Sequence, residues 1–384
     1  MNPYFSSEEY AQRYSRAIEL MRAKGLSALF LTKDSNIYYL SGHQTIAPYY
    51  FCTRPALLIA PVEGSPILVD HEVWKGGARL NTWVNDVRSY IELTGVPTGM
   101  LVSIFHELGL ADAKVGVELG LEQRMGMPLA DFLALQDALP GVEWVDAADL
   151  LWRLRLIKSQ AEIECMRKAC SAVMHAFSTV FPKLTPGLTQ EQVVHMLQAA
   201  VCEAGAEPGF IIPVFDPETF DAQTRLPSSK PIEKGDVIWV DMGAVYHGYW
   251  CDFCRAVSLG RPSDETLRVQ ETVHRVTMKG VEAVRPGVTF SQVVQACAAE
   301  AERQGLDLNF IVGAGRVGHG IGLHLAEPPS VTLNNTTVLE PGMTFALEPG
   351  TIGPSGTFVI EQNMAVTEDG VDLLSDGPWE IWVA

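Results

Sequence analysis

The stretch that decides the fold runs from Val237 to Asp252 and reads VIWVDMGAVYHGYWCD. The apolar run Val237–Val240 predicts a strand that leads into Asp241, and the turn-prone segment 243–248 predicts a tight connection to a return strand. We therefore expect Asp241 and Asp252 to lie side by side across a β-hairpin. Because a buried carboxylate is costly unless it is paired or binds a metal, both acids are candidate metal ligands.

The same pattern recurs further along the chain. The apolar run 344–347 leads into Glu348, and the run 357–360 leads into Glu361. Between the acidic pairs, His319 stands among glycines that allow close approach of the backbone. Two Asp, two Glu and one His form a set of hard ligands suited to two divalent cations. Taken singly, each acid also fits a solvated carboxylate at a strand end, but the five together favour a metal centre.

The composition excludes several classes of protein. A chain of 384 residues has room for two domains, and its net charge of −18 argues against a nucleic-acid partner. No apolar run reaches membrane-spanning length, and the first residues lack a basic and apolar signal region. Seven scattered cysteines fit a reducing compartment better than a disulfide framework. We therefore expect a cytoplasmic protein with no membrane partner.

Strand and helix patterns alternate in the first part of the chain, which indicates an α/β domain over residues 1–155. Helical patterns cover 6–25, 101–108, 128–135 and 146–155, and strand patterns cover 28–31, 37–40, 56–60, 66–69 and 115–118. A break at 157–159 precedes another helical pattern over 160–180, so a second domain is predicted over residues 156–384.

The second domain contains an internal repeat. The segment Thr185–Val194 reads TPGLTQEQVV, and one hundred residues later Arg285–Val294 reads RPGVTFSQVV. Each copy predicts a Pro-Gly turn followed by a Thr-capped helix. An acidic hairpin follows each copy, so a duplicated unit would join the two hairpins about a pseudo-two-fold axis. The alternative is coincidence of one common helix-start pattern.

Together these segments resemble the pita-bread metallohydrolases, in the branch that contains creatinase, prolidase and aminopeptidase P. The matching motifs are RLIKS at 155–159, GDVIWVDMGA at 235–244, YWCDFCR at 249–255, GHGIGL at 318–323, LEPGMTFALEPG at 339–350 and VIEQN at 359–363. The resemblance covers nearly the whole chain. It implies an α/β (α+β) protein in which a creatinase-like N-terminal domain precedes a pita-bread catalytic domain with a pseudo-two-fold repeat.

The resemblance also implies a metal centre and an activity. Its metal ligands would be Asp241, Asp252, His319, Glu348 and Glu361, holding two divalent ions (Mn²⁺, Co²⁺, Fe²⁺ or Zn²⁺) that activate a bridging water. Glu348 would accept the proton of that water. The implied enzyme is a homodimeric dinuclear metallohydrolase that cleaves an amide or peptide C–N bond in a small molecule or short peptide, with Xaa-Pro peptides as the default substrate.

Three departures from the peptidase pattern keep other functions open. The peptidases carry a histidine at the positions of Thr224 and Ala326, and usually an arginine at the position of Val359. The same scaffold hosts a dimethylsulfoniopropionate lyase and an ectoine hydrolase, so a lyase or a hydrolase of a small zwitterion is the alternative. A non-catalytic binding module is the third reading, which the retained ligands disfavour.

Four further residues are candidates for substrate contacts or catalysis. His324, two residues before Ala326, is a possible substitute for the missing histidine; packing or exposure to solvent is the favoured alternative. In creatinase-like dimers the region around Tyr50 and Arg54 reaches the partner's active site, so Arg54 would anchor a substrate carboxylate. An Arg54 that pairs with a surface acid is the equal alternative. Thr224 would contact substrate in place of the family's histidine.

Overall fold

A six-stranded mixed sheet forms the centre of the first unit, Met1–Arg155. The computed structural model describes residues 4–44, 54–214, 227–308, 316–353 and 356–384. The strands, in chain order, are β1 (Ala28–Leu31), β2 (Leu57–Pro61), β3 (Ile67–His71), β4 (Asp86–Tyr90), β5 (Lys114–Val117) and β6 (Glu143–Asp146). Their order in the sheet is β4-β3-β2-β1-β5-β6. Every residue of β1, β2 and β3 is buried, as expected for central strands that are covered on both faces.

Helices cover this sheet and close an aromatic core. They are α1 (Ser7–Ala23), α2 (Asp34–Ser41), α3 (Lys75–Asn81), α4 (Thr98–Glu107), α5 (Leu129–Ala138) and α6 (Ala148–Leu156). The rings of Phe30, Phe105 and Phe132 all meet Trp144, with centroid distances of 6.0, 5.4 and 5.3 Å. The sequence therefore places its largest apolar side chains between the sheet and α4 and α5.

The predicted strand at 37–40 is wrong, because these residues lie within α2. Asp34 stands in the first turn of this helix, and Gly42 ends it in the left-handed conformation at φ 75°. All residues from Asn36 to Ser41 are buried. A short apolar run that is buried on all sides does not distinguish a helix from a strand, and here the end signals should have decided the prediction.

In the second unit, Leu156–Ala384, the described residues form two main sheets and four helices of three turns or more. The helices are α7 (Gln160–Val180), α8 (Gln190–Glu203), α9 (Asp264–Ala283) and α10 (Phe290–Gln304). One sheet contains β7 (Glu207–Val214), β8 (Val237–Tyr246), β9 (Tyr249–Ser258) and β17 (Trp382–Val383), in the order β17-β9-β8-β7. The other contains β10 (Gly318–Gly320), β11 (Glu327–Ser330), β12 (Thr344–Leu347), β15 (Gln362–Val366) and β16 (Val371–Leu373), in the order β11-β10-β12-β15-β16. A separate hairpin joins β13 (Gly350–Gly353) to β14 (Gly356–Val359).

The two copies of the sequence repeat adopt the same local structure. Thr189 and Thr289 cap α8 and α10, and each forms a capping box with the Gln three residues later. Ahead of each cap, Gly187 donates its N–H to the Ile232 carbonyl, and Gly287 donates to that of Leu339. The mixed α/β architecture and this internal symmetry confirm the predicted fold class. Within the described ranges, no helix combines the length and the apolar character needed to cross a bilayer.

The β8–β9 hairpin is longer than predicted. Its turn is only His247-Gly248, with φ values of 48° and 84°, which is the positive-φ pair of a tight hairpin turn. The segment 243–246, expected in the connection, continues β8 instead. Asp241 consequently faces Cys254, and Asp252 faces Gly243. The two acids are therefore diagonal neighbours rather than a directly opposed pair.

Candidate metal centre

Asp241 and Asp252 point to the same face of the first sheet. They belong to cross-strand pairs two residues apart, and side chains alternate along a strand, so both project from one side. Asp252 is buried, with 6% of its surface exposed, while Asp241 is half-buried. The first sheet therefore supplies two carboxylates to one place, as the sequence predicted, through a diagonal contact.

Glu348 and Glu361 stand at one end of the second sheet. The ladder between β12 and β15 ends at the pair Leu347–Gln362, so Glu348 follows the last paired residue of one strand and Glu361 precedes the first of the other. The β13–β14 hairpin is inserted between them. Glu361 is 1% exposed, and Glu348 is half-buried.

His319 reaches the same place from β10. Its strand pairs with β12, where His319 faces Ala346. The ring Nδ1 lies 3.0 Å from the Gly320 carbonyl oxygen, which can only accept, so Nδ1 carries the hydrogen. Nε2 lies 3.3 Å from Oδ2 of Asp252. In the neutral ring, the lone pair of Nε2 is therefore available to a cation beside Asp252, with its orientation fixed by the backbone.

Three of the five predicted ligands meet in one cluster. Asp252, His319 and Glu361 each offer a ligand atom, and these atoms all lie within 4.8 Å of one another. Asp241 acts electrostatically on Asp252, and Glu348 acts on His319. The structure thus brings four carboxylates and one imidazole from both sheets into a single site.

The carboxylates repel one another in a poorly solvated environment. Burial raises the pKa of Asp252 to about 7. Burial also raises the pKa of Glu348 to about 7, with repulsion from Asp252 adding to the shift. The pKa values of Asp241 and Glu361 rise above their ordinary range for the same two reasons. Burial lowers the pKa of His319, which favours the neutral ligand form.

The donor set fits divalent cations. The fully buried atoms Oδ1 of Asp241, Oδ1 of Asp252 and Oε1 of Glu361 have no hydrogen-bond partner among the described residues. Buried carboxylate oxygens are normally hydrogen-bonded or bound to a cation. Oxygen and imidazole donors match Mn²⁺, Co²⁺, Fe²⁺ and Zn²⁺. Bound cations would satisfy these oxygens and offset the accumulated negative charge.

Of the other four predicted site residues, the structure describes His324 and Arg54, and neither belongs to the cluster of Asp252, His319 and Glu361. His324 is half-buried in the loop after β10, where its backbone N–H donates to Oε1 of Glu327 at 3.1 Å. Arg54 donates from Nε to the Leu93 carbonyl at 3.0 Å within the first unit. Tyr50 and Thr224 lie outside the described residues. The roles of all four stay predictions.

Two departures from the peptidase pattern have clear surroundings. Ala326 is half-buried directly before β11. Val359 is 1% exposed and packs in an apolar cluster with Val214 and Trp239. An arginine at position 359 would place a charge in this cluster, so the apolar packing accounts for its replacement.

Sequence reasoning missed the residues that support the ligand loops. Lys158 and Glu327 form a buried ion pair, with Nζ and Oε2 at 3.3 Å and exposed side-chain fractions of 3% and 1%. Tyr249 donates its hydroxyl to Oε1 of Glu162 at 2.7 Å. Glu162 also caps α7 together with Ser159. The available signal was a charged residue next to an apolar run, which alone does not identify its partner.

Each of the two units matches the model of a known protein family. Residues 164–368 match the model of Metallopeptidase family M24, and residues 13–157 match the Creatinase/Prolidase N-terminal domain. A probable dipeptidase PepE from Mycobacterium tuberculosis is 31% identical over 99% of this chain and 98% of its own length. The Xaa-Pro dipeptidase of Pyrococcus furiosus is 25% identical over 95% and 97%, and the ectoine hydrolase of Halomonas elongata is 26% identical over 99% and 98%.

A solved structure agrees with these relatives. The crystal structure of dipeptidase PepE from Mycobacterium ulcerans superposes with a TM-score of 0.81 at 30% identity, and the match covers 99% of each chain. The similarity thus extends through both units. These findings confirm the resemblance and the metal-dependent hydrolase that the motifs indicated. The chain belongs to Metallopeptidase family M24, as a metal-dependent peptide hydrolase with a creatinase/prolidase N-terminal domain.

Proposed function

We propose that this chain is a dinuclear dipeptidase that cleaves short Xaa-Pro peptides. Asp241, Asp252, His319, Glu348 and Glu361 would hold two divalent cations. The observation that carries the proposal is that three buried carboxylate oxygens of this site have no hydrogen-bond partner in the part of the chain that the structure describes. The names of the PepE and Xaa-Pro dipeptidase relatives support a dipeptide substrate.

Residues of the chain would have distinct roles in the reaction at this site. Cations held by these five residues would supply Lewis-acid activation of water and of the scissile carbonyl. The neutral His319 ring presents Nε2 while its Nδ1–H is held by the Gly320 carbonyl. Glu348 is half-buried, so one carboxylate oxygen can accept a proton from attacking water and return it to the leaving amine.

The cysteines support a reducing compartment, and the family resemblance supports a homodimer. The six cysteines in the described part of the chain are free thiols, and five of them are buried. Such thiols are typical of a cytoplasmic protein. The family resemblance supports a homodimer, for which the measured mass in solution is the direct test.

Turnover of a dipeptide and tripeptide panel tests the proposal. Protein loaded with Mn²⁺, Co²⁺, Fe²⁺ or Zn²⁺ would be assayed with Xaa-Pro and Xaa-Ala peptides, with Glu348→Ala as the blank. We expect metal-dependent cleavage of Xaa-Pro dipeptides at two bound ions per chain. A metal-replete protein that cleaves none of the peptides would overturn the proposed substrate.

A small zwitterionic amide is the second candidate substrate. Position 359 carries a valine in an apolar cluster instead of the arginine usual in the peptidases. The loss of that substrate-binding charge favours a substrate other than a peptide. The ectoine hydrolase relative, similar over 99% of this chain, supports the same possibility. Ectoine would therefore be added to the panel. Its hydrolysis in the absence of peptide cleavage would decide for this candidate.

A further inference from the structure

The Asn363 side chain joins β15, which begins directly after Glu361, to β9, which carries Asp252. Its Oδ1 accepts the backbone N–H of Asp252 at 2.8 Å, and its Nδ2 donates to the backbone carbonyl of the same residue. Asn363 lies two residues after Glu361 and is fully buried. One carboxamide therefore binds both polar groups of the Asp252 peptide backbone from the opposite half of the site.

This contact replaces a missing backbone ladder. β9 and β15 belong to different sheets in the described chain. Along β9, the short strand β17 pairs only with Val257 and Ser258. Near Asp252, the edge of β9 therefore meets a side-chain amide, which has the same donor and acceptor as a peptide group.

Arg255 makes a reciprocal contact from the other strand. It lies three residues after Asp252, is 1% exposed, and donates through Nη1 to the carbonyls of Glu361 at 3.1 Å and Cys254 at 2.8 Å. Its Nη2 reaches the Ser375 carbonyl at 2.9 Å. Each ligand strand thus carries, just beyond its own ligand, a side chain that binds the backbone of the other ligand.

The Asn363 backbone is itself fixed. Its N–H donates to Oγ of Ser375 at 2.8 Å, and that hydroxyl donates to Oε1 of Gln362 at 2.6 Å. All of these side chains are buried, so each lost partner would leave an unsatisfied polar group. Asn363 consequently has little freedom to move relative to Asp252.

We propose that Asn363 is a positioning residue of the metal centre, which fixes the spacing between the Asp252 and Glu361 carboxylates by binding the Asp252 backbone. The inference rests on the proposed cation site. A cation held by both Asp252 and Glu361 would require a fixed distance between the two carboxylates. Removal of outer residues that orient ligands typically changes metal affinity 10–100-fold. A residue that only stabilises the fold would change unfolding without a selective loss of metal affinity.

The control is Thr82, a buried side chain in the first unit, which contains none of the five predicted ligands. Its Oγ1 donates to the Ser41 carbonyl at 2.6 Å and accepts the Val84 N–H at 3.1 Å. Asn363→Leu and Thr82→Val each remove one such pair of bonds with a side chain of similar size. Both variants and the wild-type chain would be titrated with Mn²⁺ by calorimetry, and the Co²⁺-loaded proteins would be compared by visible absorption.

We expect Asn363→Leu to bind its cations about 10–100-fold more weakly and to shift the Co²⁺ bands, while Thr82→Val stays within about twofold of wild type. Unchanged affinity and spectrum in folded Asn363→Leu, or equal losses in both variants, would overturn the inference. If Asn363→Leu does not fold, Asn363→Ser replaces it under the same criteria. A wild-type chain that binds no Mn²⁺ would instead overturn the proposed metal centre itself.

Discussion

Nε2 of His319 lies 3.3 Å from Oδ2 of Asp252, although the two residues come from different sheets. Both are buried, with 4% and 6% of their surfaces exposed. A neutral imidazole and a carboxylate at this distance can share one cation. The contact therefore joins the two halves of the repeat at the point where chemistry is expected.

Replacement of Glu348 by Gln should abolish catalysis without unfolding the protein. Glu348 is half-buried at the end of β12, so an isosteric amide causes little loss of packing. We expect kcat to fall at least about a hundredfold, since even residues that only orient ligands reach that effect. Steady-state kinetics with urea unfolding would check this, and the exposed Glu368→Gln is the control. Undiminished turnover would remove Glu348 from the mechanism.

Metal affinity should fall as the pH drops below about 7. Burial raises the pKa values of Asp252 and Glu348 to about 7, so protons compete with cations for these oxygens in that range. Calorimetric Mn²⁺ titrations at pH 8, 7 and 6 would measure the effect. We expect progressively weaker binding and proton release on binding; equal affinity at all three pH values would contradict it.

Metal removal should make the protein less stable at high pH. The folded-state pKa of Glu348 lies above its unfolded value of about 4.3, so the folded chain holds more protons between about pH 4 and 7. The free energy of unfolding of the metal-free protein therefore falls as pH rises through that window. At pH 8, the free energy of unfolding of chelated Glu348→Gln should exceed that of chelated wild type by about 3–4 kcal/mol, and at pH 4 the two should agree. A constant difference between them would refute this reasoning.

Loss of Lys158 should destabilise the catalytic unit strongly. Its ion pair with Glu327 is buried, so Lys158→Met leaves the Glu327 carboxylate buried without its counter-ion and should cost about 3–5 kcal/mol. The double variant with Glu327→Gln should recover much of this loss. Arg22→Met breaks a pair in which both side chains are more than half exposed, and should cost under about 1 kcal/mol. Equal costs in urea unfolding for the buried and exposed pairs would be inconsistent with this account.

Gly318 should tolerate no side chain. Its φ is 152°, and an added Cβ would lie 2.0 Å from the Ala346 carbonyl oxygen. Gly318→Ala should lower stability by about 3 kcal/mol and displace the adjacent His319. Gly187→Ala is the control, because its φ is 98° but nothing lies within 4 Å of the added Cβ. Metal affinity should fall in the first variant alone, and a drop in both would show that strain without a clash is sufficient.

Introduction of a histidine at position 326 should distinguish the two substrate classes. Ala326 lies directly before β11, in the loop that follows His319. If the chain is a dipeptidase, Ala326→His should raise kcat/KM for an Xaa-Pro dipeptide about tenfold, since a single transition-state contact can contribute that much. Ala326→Asn controls for polarity. No gain on peptides, together with loss of ectoine hydrolysis, would favour the zwitterion substrate.

The sequence was sufficient to predict the ligand strands and the duplicated helix starts. The continuous apolar runs that lead into Asp241 and Glu348 carry a local signal, and so do the Thr189 and Thr289 caps. The turn at 247–248 was missed because glycines at 243 and 248 allow two lengths of connection. The contact between Asn363 and Asp252 was not predictable, since it joins residues 111 positions apart through one side chain. A pattern within one strand does not reveal such a long-range pair.

The diagonal arrangement of Asp241 and Asp252 has a consequence for strand register. A slip of β8 by one residue against β9 would send Asp241 to the opposite face of the sheet, away from Asp252. Cations that require both acids would then bind only the native alignment. The two-residue turn at His247-Gly248 already favours that alignment. Metal binding during folding would therefore stabilise only those molecules in which β8 and β9 are paired in the native register.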